Sequence, residues 1–578
     1  MQRRLWQDVV ADETRVLTLA EALDVPPVIA RLLVQRGFAD PDAARAFLTP
    51  TLAQLHDPFQ LADMRVAVDR LLAAVARQEP IAIHGDYDAD GITSTVILRR
   101  ALELLGGRVT HFVPDRLRDG YGLQPATIER LHEAGARVVV SVDCGIRAAE
   151  AASRARELGV DLIITDHHEP DAALPAALAV INPRRTDCSY PDKHLAGVGV
   201  ALKVVQALLA SAGKGAEVLP HFLKIAAIGT LADVVPLVGE NRVIASFGLS
   251  TLSAGPHSAG LDALLEVAGL AGRTLDGFHV SFGLAPRLNA AGRMGSANLA
   301  LDLLLVRGRD EASRAQARTL ARALADENTR RQAVESDLIT EARRVVDRDP
   351  DVGGQNILVV AGDGWHRGVI GIVASKLVDT YCKPALVFSI EDGVAHGSGR
   401  SIPQFDLLEA LESCADIFLK FGGHRQAAGA TIEASRLGEL RRRLAAFANE
   451  RLSPQDLVPL LRIDSPLGLR EISSAVIEGL VRLGPYGPAN PKPIFRASPV
   501  DLLEPPRRLK ERHLALLVRQ DGRAFRAVAW RSADRHDYLS ANRAGLELAY
   551  SLDRNEYRGE TMTELNVADV RLPAGGIA

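Results

Sequence analysis

Cysteine is nearly missing: four in 578 residues, at Cys144, Cys188, Cys382 and Cys414. They are too scattered for a disulfide framework, and no Cys-x-x-Cys pair is present to hold a zinc knuckle. Reduced packing residues are the expectation. No unbroken apolar run reaches the ~18 residues that a bilayer crossing needs. The amino terminus, Met-Gln-Arg-Arg-Leu-Trp-Gln-Asp, lacks the apolar centre of a signal peptide. These absences predict a cytoplasmic protein with no membrane attachment. An excess of positive charge is missing too. The net charge is −4 and the pI about 6.5, so an anionic partner has to be held by local patches. Lysine is scarce, nine against 59 arginines. Arginine suits bidentate phosphate contacts, but a genome biased toward G and C produces the same excess and is the weightier explanation.

What is present is an ordinary globular composition, 47% apolar and 24% charged, long enough for about three to four domains at about 150 residues each. Residues 1 to about 75 read as a helical lead-in, punctuated by Pro26-Pro27, Pro41 and Pro50, that packs on the domain after it. The most informative stretch comes next, Ile81-Ala-Ile-His84-Gly-Asp86-Tyr-Asp88-Ala-Asp90-Gly-Ile-Thr-Ser94. It starts as a short apolar strand and runs into an amphipathic pattern over 92–105. In an extended chain alternate side chains share a face, so His84, Asp86, Asp88 and Asp90 point into the space beyond the strand's carboxyl end. Carboxylates so close repel one another unless a cation lies among them, and hard divalent ions prefer oxygen ligands. The alternative is a solvated acidic turn.

From here strands alternate with helices. Strands are predicted at 81–84, 109–113, 138–142, 161–165 and 179–181, with helices near 92–105, 125–134 and 148–158. This alternation predicts a parallel, doubly wound α/β sheet, in which ligands bind beyond the carboxyl ends of the strands. The strand Val138-Val-Val-Ser-Val runs into Asp143, and Asp161-Leu-Ile-Ile-Thr runs into Asp166-His167-His168. Asp233 follows as a lone acid in an apolar helical run, Ile225 to Pro236, and a buried acid needs a partner. Each residue alone has a bland explanation: a helix cap for Asp143, a structural hydrogen bond for Asp233, a surface turn for the histidines. Their coincidence at one end of one sheet does not.

The ordered motifs Asp-Tyr-Asp-Ala-Asp-Gly-x-Thr-Ser, Val-Asp-Cys-Gly, Asp-His-His and Gly-Thr-x-Ala-Asp-Val-Val-Pro resemble the four motifs of the DHH phosphoesterase superfamily, and the likeness extends over most of the chain. It implies two-metal hydrolysis of a terminal phosphodiester, with Mn²⁺ or Mg²⁺. One ion would be held by His84, Asp88 and Asp143, the other by Asp90, Asp143, His167 and Asp233, with Asp143 bridging. Asp86 becomes a conditional ligand, Asp166 orients His167, and His168 faces the scissile phosphate.

Downstream, Arg287, Asn289 and Arg293 lie in a Gly/Pro-punctuated loop that reads as a phosphate fork or as a salt bridge to nearby acids. Residues 298–347 read as a connector helix. At 356 the strand–helix alternation restarts, and Gly-rich turns carry His366, Arg367, Ser398, Arg400 and His424; glycines at a helix start let an anion approach backbone N–H groups. This part, 348–453, resembles the DHHA1 domain, which implies substrate binding across a cleft from the metals. Arg287, His366, Ser398, Arg400 and His424 are then expected to hold the terminal or first backbone phosphates. Residues 454–578 hold short alternating segments with turns, which predict a small β-barrel. By resemblance this is an OB-like domain with a basic strip at Arg507, Arg508, Lys510, Arg512 and His513, and with Phe525, Trp530, Tyr550 and Tyr557 available for stacking. The nuclease branch of the superfamily implies 5′ to 3′ digestion of single-stranded DNA in repair and recombination. It also implies single-strand-binding protein and a helicase as partners, and a monomer. The rival readings are a short-oligonucleotide phosphodiesterase of the same superfamily and a catalytically silent replication scaffold.

Overall fold

The computed structural model describes residues 4–115, 119–120, 122–295, 297–557 and 560–573. The chain forms two compact units that do not follow chain order. The larger holds Ala53–Val235 and Gly239–Leu457, the smaller Met1–Leu52, Pro236–Val238 and Val458–Ala578. Among the described residues no helix is long and apolar enough to cross a membrane.

The larger unit opens with a five-stranded, all-parallel sheet in the order Arg108–Phe112, Pro80–Gly85, Val138–Val142, Asp161–Thr165, Ala179–Ile181. The Val-rich third strand in chain order is buried at every residue, as a strand covered on both faces requires. Register matters most here. Gly85 pairs with Val142, and Val142 with Thr165, so Asp86, Asp143 and Asp166 leave the sheet side by side at one edge. Helix Ala89–Leu104 begins earlier than its apolar pattern suggests. Asp88 caps it, its carboxylate accepting from the Asp90 and Gly91 amides, which is what an N-cap aspartate does for otherwise unpaired amides. Residues 89–98 of this helix are all buried, so it is not amphipathic over its first turns.

The predicted connector is two helices, Ala297–Leu305 and Glu311–Arg348. They are separated where Asp310 caps the second by accepting from the Ser313 amide at 2.9 Å. The second sheet has the order Phe418–His424, Ala427–Glu433, Val394–Arg400, Ala385–Glu391, Leu358–Asp363. It is antiparallel except for its last pair. Helix Ile370–Tyr381 packs on it, joining a core of Leu338, Val346, Leu358, Val360, Val373 and Leu377.

In the smaller unit a five-stranded barrel is closed because Phe495–Leu502 pairs with both His513–Gln520 and Leu546–Tyr557. Arg523–Ala529 and Glu560–Arg571 complete the ring. The lead-in differs from its expected placement. Val16, Leu19, Ile29, Leu32, Leu33, Phe47 and Leu48 share one core with Leu480, Phe495, Leu514, Val518 and Leu548, so the first 52 residues belong with the barrel. Only the rest of the predicted lead-in, including helix Met64–Ala76, stays with the parallel-sheet unit. The apolar stripes of helices Pro27–Gln35 and Pro41–Leu48 give the reason: they need a partner, and strand Phe495–Leu502 and helix Ser474–Leu483 supply it.

Candidate metal centre and substrate face

At the carboxyl edge of the parallel sheet the chain bends sharply. Asp143 sits at φ 61°, in the left-handed region that non-glycine residues seldom adopt. Its amide still donates to Thr165 O at 2.9 Å, which aims the carboxylate across the strand ends. Around it lie three overlapping clusters, each with ligand atoms within 4.8 Å of one another: Asp86, Asp88 and Asp143; Asp143, His167 and His168; Asp90, His167 and Asp233. His167 Nε2 is 3.2 Å from Asp143 Oδ1, 3.6 Å from Asp233 Oδ2 and 4.0 Å from Asp90 Oδ2. Asp233 enters as the residue ending helix Pro220–Ala232.

Asp90 reaches the centre from the first turn of its helix, not as the fourth residue of an extended run. Helix Gly197–Ser211 points its amino terminus at it: the Gly197 and Val198 amides each donate to Asp90 at 2.7 Å. Only glycine fits at 197, because a β-carbon there would run into the Asp143 carboxylate.

The electrostatics describe a site built for positive charge. Burial and the neighbouring Asp88 push the Asp90 carboxyl up to about 7. Burial, then Asp90, Asp88 and Asp233, lift Asp143 well above the carboxylate range, and burial with Asp90 and Asp88 does the same to Asp233. Burial holds His84 down to about 4 and His167 to about 3. Both histidines are therefore neutral, the form that binds metal. The imidazole nitrogens of His84 and His167, Asp143 Oδ1 and Asp233 Oδ2 are buried and make no hydrogen bond among the described residues. A buried polar atom without a partner costs about 1–3 kcal/mol. Unpaired carboxylate oxygens and neutral imidazoles facing one another fit divalent cations, with the imidazoles tilting the choice toward Mn²⁺ over Mg²⁺.

One sequence assignment changes. Asp166 orients His168, not the ring of His167: its Oδ1 lies 2.7 Å from His168 Nδ1 and accepts from the His167 and His168 amides, while Oδ2 accepts from Ile146 N. Burial works against the charge on His168, but the Asp166 carboxylate outweighs it and raises the imidazole's pKa. His84 lies outside the three clusters and stacks on Phe112 at 5.7 Å between ring centroids. Asp86, expected as a conditional ligand, sits inside one of them.

The predicted phosphate fork is mostly in use elsewhere. Arg287 donates to Gly283 O at 2.5 Å and to Val267 O at 3.2 Å. Asn289 Oδ1 accepts from Ala89 N at 2.7 Å, bracing the loop that carries Asp86 and Asp88. Arg293 donates to Gly368 O at 3.3 Å, beside His366, whose Nδ1 accepts from Gly368 N. On the second sheet, register aligns His424, Ala427 and Arg400 in one row and Gly422, Gly429 and Ser398 two rows along, on the same face. Ser398 and Arg400 border Gly371, near the start of helix Ile370–Tyr381, a helix terminus that attracts anions. Arg367 is 4.0 Å from Glu391. Burial lowers the His424 pKa, and the charges of Arg147 and His168 add to the effect, so this face looks onto the metal side. Sequence reasoning missed Phe278 and Phe282. Their rings lie 4.7 Å apart and are 66% and 69% exposed, on the segment whose Ser281 bonds Leu231 O, two residues before Asp233. The sequence does not mark them out, because the exposure that singles out an apolar residue is decided by the tertiary fold.

Comparison with known proteins agrees with this layout. Residues 80–230 match the DHH family N-terminal domain, 354–450 the DHHA1 domain and 463–569 the RecJ OB domain. Fold and site together define a metal-dependent phosphoesterase of the DHH/DHHA1 class. The chain is 38% identical over 568 residues to the single-stranded-DNA-specific exonuclease RecJ of Bacillus subtilis, covering 98% of this chain and 70% of that protein. It is 35% identical to the Escherichia coli protein of the same name, covering 95% and 96%. The crystal structure of RecJ from Thermus thermophilus in complex with Mn²⁺ superimposes with a TM-score of 0.83 at 32% identity, over 100% of this chain and 81% of that one. Its complex with Mg²⁺ gives 0.77 at 31%, over 100% and 80%. The chain belongs to the RecJ family.

Proposed function

We propose that this protein is a single-stranded-DNA-specific exonuclease that digests from the 5′ end and releases 5′-mononucleotides, with a pair of Mn²⁺ or Mg²⁺ ions held by Asp86, Asp88, Asp90, Asp143, His167 and Asp233. The single observation carrying this reading is the convergence of three clusters of acids and imidazoles on Asp143 and His167, where Asp143 Oδ1, Asp233 Oδ2 and the imidazole nitrogens of His167 are buried and make no hydrogen bond among the described residues. Held by those residues, a pair of divalent ions would supply activation of water and offset charge at the phosphate. The rest falls to side chains. His168, fixed through Nδ1 by Asp166, presents a protonated Nε2 to a non-bridging oxygen of the scissile phosphate. Asn289 keeps the Asp86–Asp88 loop in place. Ser398, Arg400 and the amides near Gly371 receive the terminal phosphate, which sets the polarity, and His366, Arg367 and His424 line the same path. Phe278 and Phe282 offer flat faces to unpaired bases.

The barrel's exposed Trp530, edge-on to His513 at 4.8 Å between ring centroids, together with Arg507, Arg508, Lys510 and Arg512, supports a second contact with a longer strand. Tyr550 is fully buried and packs against Phe495, so stacking falls to Trp530; the Tyr557 side chain lies outside the described residues. The protein is expected to work as a monomer in the cytoplasm. A nuclease confined to single strands needs a helicase to open duplex and shares its substrate with single-strand-binding protein.

The test compares 5′-labelled with 3′-labelled single strands and with duplex in Mn²⁺. Early release of labelled mononucleotide from the 5′ end of single strands alone is the expected result. Release from the 3′ label first, or cleavage of dinucleotides but not of long strands, overturns the reading.

A further inference from the structure

A buried polar network lies behind the metal centre and takes no part in the chemistry above. Residues 190–196 have no regular secondary structure, yet Tyr190, Asp192, Leu195 and Ala196 are buried. What holds them is the start of helix Gly239–Ala254. Asn241 Oδ1 accepts from Ala196 N at 3.3 Å, and its Nδ2 donates to His194 O at 2.5 Å. Glu240 N donates to Asp192 Oδ2 at 2.8 Å, while Asp192 Oδ1 accepts from His194 N at 2.9 Å. The Glu240 carboxylate accepts from Tyr190 Oη at 2.5 Å, Lys203 Nζ at 2.9 Å and His56 N at 3.0 Å.

This strap leads directly into Gly197 and Val198, whose amides hold both oxygens of Asp90. The carboxylate is free to turn only as far as the helix start moves, and the helix start is entered from Ala196. Lys203 lies on that same helix, so Glu240 grips the strap at Tyr190 and the helix one turn and a half further on. Burying an acid, an amide and an ammonium is costly unless every one is bonded, and here every one is.

We propose that Asn241 and Glu240 are positioning residues for the metal centre: they clamp residues 190–196 so that the amino terminus of helix Gly197–Ser211 fixes Asp90 in its ligating orientation. The proposal rests on the reading of Asp90 as a metal ligand. Outer partners of metal ligands typically contribute about 10–100-fold in metal affinity or activity.

The experiment is calorimetric Mn²⁺ titration of the full-length protein, wild type beside Asn241→Ala and the near-isosteric Asn241→Asp, with amide hydrogen exchange on the metal-free forms. The wild type takes up Mn²⁺. Asn241→Ala is expected to bind it about tenfold more weakly or worse, and to exchange faster over residues 194–200. Its kcat should recover at high Mn²⁺, with KM for the strand unchanged. Asn241→Asp, which keeps the acceptor for Ala196 N and loses the donor to His194 O, falls between. A folded Asn241→Ala with wild-type Mn²⁺ affinity overturns the proposal. If that variant does not fold, wild-type affinity in Asn241→Asp overturns it equally. A wild-type protein that takes up no Mn²⁺ overturns instead the metal-centre reading beneath it.

Discussion

Asp143, held in the left-handed region and shared by two of the three ligand clusters, is the residue on which the most depends. Asp143→Asn keeps its size and removes the charge. Cleavage of a single strand in Mn²⁺ is expected to fall about 10³-fold, equivalent to about 4 kcal/mol of barrier, with the melting temperature of the metal-free protein unchanged or raised because a buried ionisable group is gone. Proton and metal compete for the same atoms. In the metal-free protein Asp90, shifted up to about 7, contributes stability at low pH that is lost as pH climbs through 7. His84 and His167, held to about 4 and about 3, cost stability as pH falls below their ordinary 6.5. Those trends oppose one another in the metal-free fold, but both lower metal affinity in acid. The rise in Tm on adding Mn²⁺ is therefore expected to be small near about pH 5 and full near about pH 8, where a hundredfold excess over Kd is worth about 2.7 kcal/mol. Scanning fluorimetry at fixed Mn²⁺ checks it, and a rise independent of pH counts against the carboxylate centre. At this scale the residue types were readable and their partners were not. Asn289 and Arg287 look like phosphate ligands in the sequence because side-chain chemistry alone does not say that the nearest acceptors and donors are the protein's own backbone.

Elements carry the next set of constraints. Strand limits at 138–142, 161–165 and 179–181 follow from β-branched runs, and the structure reproduces them residue for residue. No strand is expected over Phe495–Leu502, because Pro499 and the preceding Pro-Lys-Pro suppress a strand pattern that barrel closure overrides. The helix at Ala89 also starts three residues earlier than the apolar period indicates, since an N-cap aspartate determines the start before any apolar residue appears. Close approach of helix to ligand gives the prediction at this scale. Gly197→Ala forces a methyl against the Asp143 carboxylate. It is expected to weaken Mn²⁺ binding about tenfold or more, the scale of a displaced ligand's support, while far-UV circular dichroism stays native; unchanged affinity in the calorimeter rejects the close-approach argument.

For the whole molecule, the smaller unit is assembled from both ends of the chain. At about 1.5–3 kcal/mol per buried large apolar side chain, the seven lead-in residues named in its core contribute on the same scale as the about 5–15 kcal/mol that holds an ordinary domain together. Deleting residues 1–52 is thus expected to abolish the barrel's protection from protease while Mn²⁺-dependent cleavage of a short oligonucleotide survives; a protected barrel in the truncated chain refutes this. The sequence by itself determined the alternation of strands and helices and the sheet edge at which acids and imidazoles gather, because periodicity and ligand type are local properties; the class of chemistry came from the resemblance of its ordered motifs to a known superfamily. Only the tertiary structure decided that the lead-in serves the barrel, that Asp166 holds His168, and that Glu240 and Asn241 stand behind Asp90. Each of those depends on which distant segments meet, and packing free energy summed over the whole chain, not any local signal, makes that choice.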